Sequence, residues 1–276
     1  MIDLHLHTTA SDGTLSPSEL VARARAAGLS VIAITDHDTT AGTCAARASA
    51  RDAGMELIPA IEISSVDGGR DIHMLGYFLD AESPALLTFL EGQRVERLRR
   101  LTEMGGRLAS LGCAIELTAI LDSARCGRSV GRPQVADALV RSGHAASRDD
   151  AFARFLEYGA PAFVPRAGAS PFDVIRIVHD AGGVVSMAHP GLTRRDDLIP
   201  AMAAAGLDAI EVRHSEHDAE TEARYRGVAA ELKLSPTAGS DYHGDIGRRA
   251  GALGSVVMPP DDLAGLRRAL ERRRAG

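Results

Sequence analysis

The chain opens on an alternation: Ile2, Leu4 and Leu6 are apolar, and Asp3, His5 and His7 between them are polar. A period of two is that of a strand, and it puts His5 and His7 on one face, roughly 6–7 Å apart. The polar stretch from Thr8 to Gly13 leaves the strand as a loop and carries Asp12 past its end. Ser16-Pro17-Ser18-Glu19 then predicts a helix start: Ser16 caps, Pro17 suits the first helical position, and Glu19 completes a capping box. Leu20, Val21, Ala24 and Ala27 supply the apolar stripe, and Gly28 is placed to end the helix. The unbroken run Val31-Ile32-Ala33-Ile34 reads as a buried parallel strand ending in Thr35-Asp36-His37-Asp38. A helix over about residues 40–53 follows, and then a second apolar run, Leu57 to Ile61, that ends at Glu62. Alternation returns over Asp71 to Tyr77 and sets His73 among apolar neighbours.

Between about residues 84 and 168 this rhythm stops. Pro84 to Leu111 reads as one long helix whose Arg94, Arg97, Arg99 and Arg100 form a solvated face, with an anion site as the alternative. A mostly helical stretch follows, broken by the loop Gly127-Arg128-Ser129-Val130-Gly131-Arg132-Pro133-Gln134. Glycine allows close backbone approach and arginine forks onto phosphate oxygens, so this loop is a candidate anion site. The α/β rhythm resumes with a helix from Pro171 and a strand, Gly183 to Ala188, that delivers His189-Pro190. Further on, a strand over Asp208 to Val212 ends near His214, and Leu234 to Ala238 leads to Asp241 and His243. The expected organisation is an α/β domain over residues 1–83 and 169–276, with a helical subdomain at 84–168 inserted over its mouth.

Composition narrows the function. The 276 residues are 45% hydrophobic and 25% charged, an ordinary globular balance with enough chain for a real core. A net charge of −6 gives no basic footprint for duplex DNA, yet bound divalent ions would reverse that sign locally for a small anionic substrate. Aromatics are 4%, with no Trp, which argues against a long base-stacking platform. Three widely spaced cysteines (Cys44, Cys113, Cys126) suggest a reducing compartment, and no apolar run is long enough to span a membrane. The expected location is the cytoplasm.

The chemistry collects at strand ends, where α/β sites assemble. His5, His7, Asp12, His37, Glu62, His73, His189, Asp241 and His243 are nine candidate metal ligands. That is too many for one tetrahedral site and suits two or three divalent ions sharing a bridging carboxylate. Imidazole and carboxylate without thiolate fit Mn²⁺, Zn²⁺ or Fe²⁺. His214, left over at a strand end, is a candidate to bind phosphate or protonate the leaving oxygen, with a plain surface histidine as the alternative.

Taken together, His5-Leu6-His7, Thr35-Asp36-His37-Asp38, His73, His189-Pro190 and Asp241-Tyr242-His243 resemble the motifs of the PHP (polymerase and histidinol phosphatase) family over nearly the whole chain. The resemblance implies a distorted (βα)7 barrel with a trinuclear metal centre that hydrolyses phosphoesters, with about three ions per chain and Mn²⁺ foremost. By the family pattern, His5, His7, Glu62 and Asp241 hold one ion, Asp12, His37 and His243 a second, and Glu62, His73 and His189 a third. The helical insert is similar to that of a narrower branch: nucleoside 3′,5′-bisphosphate phosphatases and TrpH-like 5′-to-3′ exoribonucleases of the RNase AM type. The implied substrate is a small anionic nucleotide or a short 5′-phosphorylated RNA. Asp12 and His37 would touch it at the metals, and Arg128 or Gln134, then Arg99 and Arg132, would hold its second phosphate or base. Competing expectations are a general or histidinol-phosphate-type phosphomonoesterase, amidohydrolase-like C–N hydrolysis, and a non-catalytic metal-binding module.

Overall fold

The alternating positions become the two sides of a barrel wall. The computed structural model describes residues 1–245 and 250–275, and among them seven strands form one sheet in chain order. They are β1 (Ile2–Leu6), β2 (Val31–Ile34), β3 (Glu56–Asp67), β4 (Arg70–Tyr77), β5 (Val184–Met187), β6 (Ala209–His214) and β7 (Ser235–Gly239). The sheet curls until its ends meet: the His7 N–H donates to the Tyr242 carbonyl at 3.0 Å, and the Asp241 N–H to the His5 carbonyl at 2.8 Å.

The pairing is parallel except at β4, which runs against both of its neighbours. Here the barrel departs from a plain βα repeat. The sequence pattern ends a strand at Glu62, whereas β3 continues to Asp67 and joins β4 in a hairpin through Gly68 and Gly69. Both glycines have positive φ, +54° and +77°, as a two-residue turn between twisted strands requires. The register sets Ser64 opposite His73 and Glu62 opposite Leu75.

Outward-facing Ile61, Ile63, Ile72, Met74, Val185, Met187, Ile210 and Val212 pack against the surrounding helices. Their inward neighbours Leu4, Ala60, Leu75, Tyr77, Val184 and Ala209 fill the barrel floor together with Met258, Leu263 and Leu266. Tyr77 donates its hydroxyl to the Leu4 carbonyl at 3.0 Å. Above this floor the interior turns polar: Ser186 and Thr237 bond at 2.9 Å, and Glu62, Glu211 and His5 lie beyond them, all buried. Apolar side chains thus close one end of the barrel and leave the strands' polar ends to build the other.

On the outside lie α1 (Pro17–Ala26), α2 (Ala41–Asp52) and, between β4 and β5, α3 (Pro84–Ser110), α4 (Thr118–Arg125), α5 (Arg132–Arg141) and α6 (Arg148–Ala151). The outer layer continues with α7 (Pro171–Asp180), α8 (Pro190–Thr193), α9 (Ile199–Ala204), α10 (Ala219–Leu232) and α11 (Pro260–Ala275). The capping box at α1 forms as its residues dictate, with the Ser16 N–H donating to Glu19 Oε2 at 2.8 Å. No described helix is long and apolar enough to cross a membrane.

Residues of α3 to α6 and the segment after them enclose a separate apolar cluster, including Leu101, Met104, Val135, Leu139, Phe155 and Val164. Leu86 and Leu90 at the start of α3 belong instead to the outer barrel cluster with Val174 and Val178. The arginine run of α3 divides between these surroundings. Arg94 and Arg99 point outward and pair with Glu91, Glu96 and Glu103, as a solvated face should. Arg97 and Arg100, three residues apart and so on one helix face, are buried against the barrel mouth. The expectation of a uniformly solvated face fails for this pair.

Candidate metal centre and anion pocket

Glu62 stands at the middle of the strand-end side chains, 1% exposed. Its Oε2 lies 3.3 Å from His5 Nε2, 3.2 Å from His7 Nε2 and 3.1 Å from His37 Nδ1. Its Oε1 lies 2.9 Å from His73 Nδ1 and 3.1 Å from His189 Nε2. Asp241 Oδ1 approaches the same Nε2 atoms of His5 and His7, at 3.3 and 3.0 Å. Asp12 sits to one side, 3.2 Å from His243 Nε2 and 3.7 Å from His37 Nε2. All nine expected ligands therefore meet in one cluster.

Three overlapping groups in it have ligand atoms within 4.8 Å of one another: His5, His7, Glu62 and Asp241; His7, Asp12, His37 and His243; His37, Glu62 and His73. The donor chemistry fits divalent ions. His7 Nε2 and His37 Nδ1 are buried beside carboxylate oxygens yet make no hydrogen bond to them. Facing lone pairs of imidazole and carboxylate, with no thiolate, are what a borderline or hard cation would bridge.

The loops that bring these groups in are strained. Asp38, His189 and Asp241 have φ of +50°, +28° and +54°, a left-handed backbone that non-glycine residues rarely adopt. Such geometry persists where its surroundings over-determine it. The supports are visible. Glu211, fully buried on β6, bonds His5 Nδ1 at 2.9 Å and accepts the His189 N–H at 2.7 Å. It thereby commits Nδ1 of His5 and leaves Nε2 to face the centre. The Glu216 N–H donates to His214 Nδ1 at 3.0 Å, so His214 Nε2 carries its proton toward Asp241 Oδ2, 3.2 Å away. His214 is 1% exposed and lies behind Asp241, so it neither reaches the mouth nor sits on the surface.

Electrostatics follow from burial among opposite charges. Burial pushes the Glu62 carboxyl up, but the imidazoles of His37, His73 and His5 outweigh it and hold the group well below the usual carboxylate range. Asp12 behaves alike, with His243 and His37 as the opposing groups. Burial lowers His5, yet Asp241, Glu211 and Glu62 around it raise it well above an ordinary imidazole.

Beside this cluster is a cavity of about 120 Å³ with Asp12, His37 and His73 on one side and Arg97, Arg100, Arg132 and Arg166 on the other. Arg97 Nε bonds Asp38 Oδ2 at 2.8 Å, Arg132 Nη2 bonds Asp71 Oδ2 at 2.9 Å, and Arg100 holds the Val164 carbonyl at 2.9 Å. Arg166 differs: it is buried, and its Nε and Nη1 have no hydrogen-bond partner. Asp71 and Asp38 lie 3.4 and 3.7 Å from those atoms. Four guanidiniums face three carboxylates, Asp12, Asp38 and Asp71, which leaves one positive charge in excess. Burial lowers Arg166, and the neighbouring Arg97 lowers it further. Burial raises Asp71, but Arg166 and Arg132 bring it down to about 2.

Other residues singled out from the sequence fall as follows. Gln134 lines the cavity, accepts the Gly131 N–H and reaches the Ser11 carbonyl at 3.3 Å. Arg128 does not line this cavity; its Nε donates to that same carbonyl at 3.0 Å, and it borders a separate groove with Asp38, Arg94 and Arg97. Arg99 is not brought to the site; it lies on the outer face of α3, tied to Glu96 and Glu103. Sequence reasoning missed Glu211 and Arg166, and within the arginine run it favoured Arg99 over Arg97 and Arg100, which line the cavity. Glu211 had a signal, an acid at an inward position of an otherwise apolar strand. Arg166 lies in a loop without periodicity and had none.

Comparison with known proteins agrees with this geometry. The PHP domain pattern matches residues 3–125. A 5′-3′ exoribonuclease of Haemophilus influenzae is 36% identical, the match covering 92% of this chain and 96% of that protein. A 3′,5′-nucleoside bisphosphate phosphatase of Chromobacterium violaceum is 33% identical over 91% of this chain and 90% of its own. The crystal structure of a proposed metal-dependent phosphoesterase from Bifidobacterium adolescentis superposes with a TM-score of 0.87 at 36% identity, covering 97% of this chain and 96% of that one.

Proposed function

Because this chain belongs to the PHP-domain family and is a metal-dependent phosphoesterase, we propose that it removes the 3′-phosphate of nucleoside 3′,5′-bisphosphates. The same attack on the 3′ linkage at the 5′-phosphorylated end of a short RNA would make it a 5′-to-3′ exonuclease, and the two relatives named above carry those two activities in their names. In this reading residues 84–168 are a cap over a barrel formed by 1–83 and 169–276. About three ions, Mn²⁺ foremost, would be held by His5, His7, Glu62 and Asp241; by Asp12, His37 and His243; and by Glu62, His73 and His189. When bound, such ions supply positive charge to phosphoryl oxygens and make water a nucleophile near neutral pH.

The chain's own residues then divide the remaining work. Glu211 and His214 keep His5 and Asp241 in their ligating orientation. Arg166, with Arg132 beside it, binds the substrate's other phosphate and so sets which phosphorus reaches the centre. The observation that carries the reading is Arg166: a buried guanidinium whose Nε and Nη1 lie beside Asp71 and Asp38 without a hydrogen bond to either, in a cavity that also touches Asp12, His37 and His73.

A charge-assisted arginine grip contributes about 1.5–3 kcal/mol, which corresponds to roughly a ten- to hundredfold preference. The expected result is that kcat/KM for adenosine 3′,5′-bisphosphate exceeds that for adenosine 3′-monophosphate by such a factor, and that Arg166→Gln erases the difference. Equal rates on the two nucleotides in the wild type would reduce the protein to a general phosphatase.

A further inference from the structure

We infer that a groove beyond the arginine pocket, between Tyr158 and the tip of the β3–β4 hairpin, binds the nucleobase of the substrate, with Tyr158 as its stacking surface. The inference rests on the nucleotide reading above and adds a subsite to it.

Aromatic residues are scarce in this chain, and its four tyrosines are used in two ways. Tyr77, Tyr225 and Tyr242 are buried at 0–1% exposure, whereas Tyr158 is 68% exposed. It is nevertheless positioned. Its ring centroid lies 5.4 Å from that of Phe163, tilted by 60°, and the Arg70 guanidinium lies 6.0 Å from it. These residues, with Gly69, Asp71 and Arg132, line a groove of about 300 Å³.

The groove shares Asp71 and Arg132 with the arginine pocket, so the two are adjoining compartments. The strand makes their order explicit. On β4, His73 belongs to the metal cluster, Asp71 lies in the arginine pocket, and Gly69 just before the strand borders the groove. Alternate residues share a face and step about 6.6 Å each time. The opposite wall repeats the order within one segment, with Arg166 in the pocket and Phe163 and Tyr158 in the groove. Arg132 stands at the boundary, ion-paired to Asp71 and 5.8 Å from the Phe163 ring.

The lining selects the ligand chemistry. Ring faces favour a flat π system, and the Arg70 guanidinium and Asp71 carboxylate at its edges favour a group with both acceptors and donors. An aliphatic ligand would strip water from those charges and give nothing back. A nucleobase joined through its ribose to a phosphate in the neighbouring pocket satisfies both. Since every base has a π face, stacking of this kind is tolerant of base identity.

The test uses metal-loaded wild type, Tyr158→Ala and Tyr158→Phe, with thermal midpoints as a folding control. Substrates are adenosine 3′,5′-bisphosphate and its abasic analogue, 1-deoxyribose 3,5-bisphosphate; calorimetric binding is measured for adenosine 5′-monophosphate and ribose 5-phosphate. Tyr158→Ala should lower kcat/KM and affinity about tenfold, or about 1.4 kcal/mol, for the base-bearing ligands. It should change the abasic ones by less than about twofold, and Tyr158→Phe should restore most of the loss. Equal losses with and without the base, or no loss with either, would overturn the inference. If the wild type shows no preference for the bisphosphate over the 3′-monophosphate, the two-phosphate reading fails by itself. The binding comparison with adenosine 5′-monophosphate still decides the groove in that case.

Discussion

Glu62 engages five imidazoles with its two oxygens. Glu62→Gln would put an amide nitrogen, which cannot ligate, where one bridging oxygen stands, so bound metal and turnover should fall together. Asp12 is a sharper probe because it lies in a loop outside the packed strands. Asp12→Ala should keep the wild-type fold by circular dichroism and lose most of its activity; a near-normal rate would remove Asp12 from the site. Glu211→Gln tests the support behind the ligands. Losing its charge behind His5 should cost about 10- to 100-fold in metal affinity or activity, as outer partners of ligating histidines do. Unchanged metal binding and unchanged kcat/KM would leave Glu211 a purely structural acid. At this scale the clustering of the nine strand-end side chains was legible because the same residue types recur where successive strands stop. Arg166 was not, since nothing in Val164-Pro165-Arg166-Ala167 fixes where a loop side chain points.

Elements show a different limit. The strands of the barrel wall were readable from alternation and apolar runs, and α1 from its capping box. The extension of β3 past Glu62 was not, because Ser64 and Ser65 break the apolar run and only pairing with β4 keeps them in a sheet. On α3, 3.6-residue periodicity shows that Arg97 and Arg99 face different ways, but not which of them meets the barrel. Burial decides it: Arg97 donates to Asp38, to the Val130 carbonyl and to the Ser64 hydroxyl, joining the insert to the barrel rim. Removing Arg97 leaves the buried Asp38 without its closest cation, with only Arg166 at 3.7 Å and the Ser64 N–H beside it. Arg97→Ala should therefore destabilise the protein by about 3–5 kcal/mol. Arg99→Ala, on the solvated face, should cost about 0–1 kcal/mol. Urea unfolding of the two variants beside wild type is the measurement, and similar losses for both would mean the insert is not tied down through Arg97.

Across the whole molecule, the polar end of the barrel is an electrostatic conflict that divalent ions resolve. Glu62, Asp12 and Asp241 crowd among six imidazoles, and His7 Nε2 and His37 Nδ1 face carboxylate oxygens without a hydrogen bond, an arrangement the apolar floor beneath cannot relieve. The chain carries a formal charge of −6, and three divalent ions would bring it to zero while making the mouth attractive to phosphate. Ions that bind the folded chain and not the unfolded one stabilise it by mass action, about 4 kcal/mol for one site at a thousand times its dissociation constant. For a chain of this size that corresponds to roughly ten degrees in the unfolding midpoint. Stripping the protein with a chelator should thus lower the midpoint by about that much, and Mn²⁺ should restore both midpoint and phosphate release. Elemental analysis of the fully active protein should give about three ions per chain. A midpoint indifferent to chelation would mean that the imidazoles and carboxylates satisfy one another without metal. A single ion in fully active protein would reduce the three overlapping groups around Glu62 to one working site.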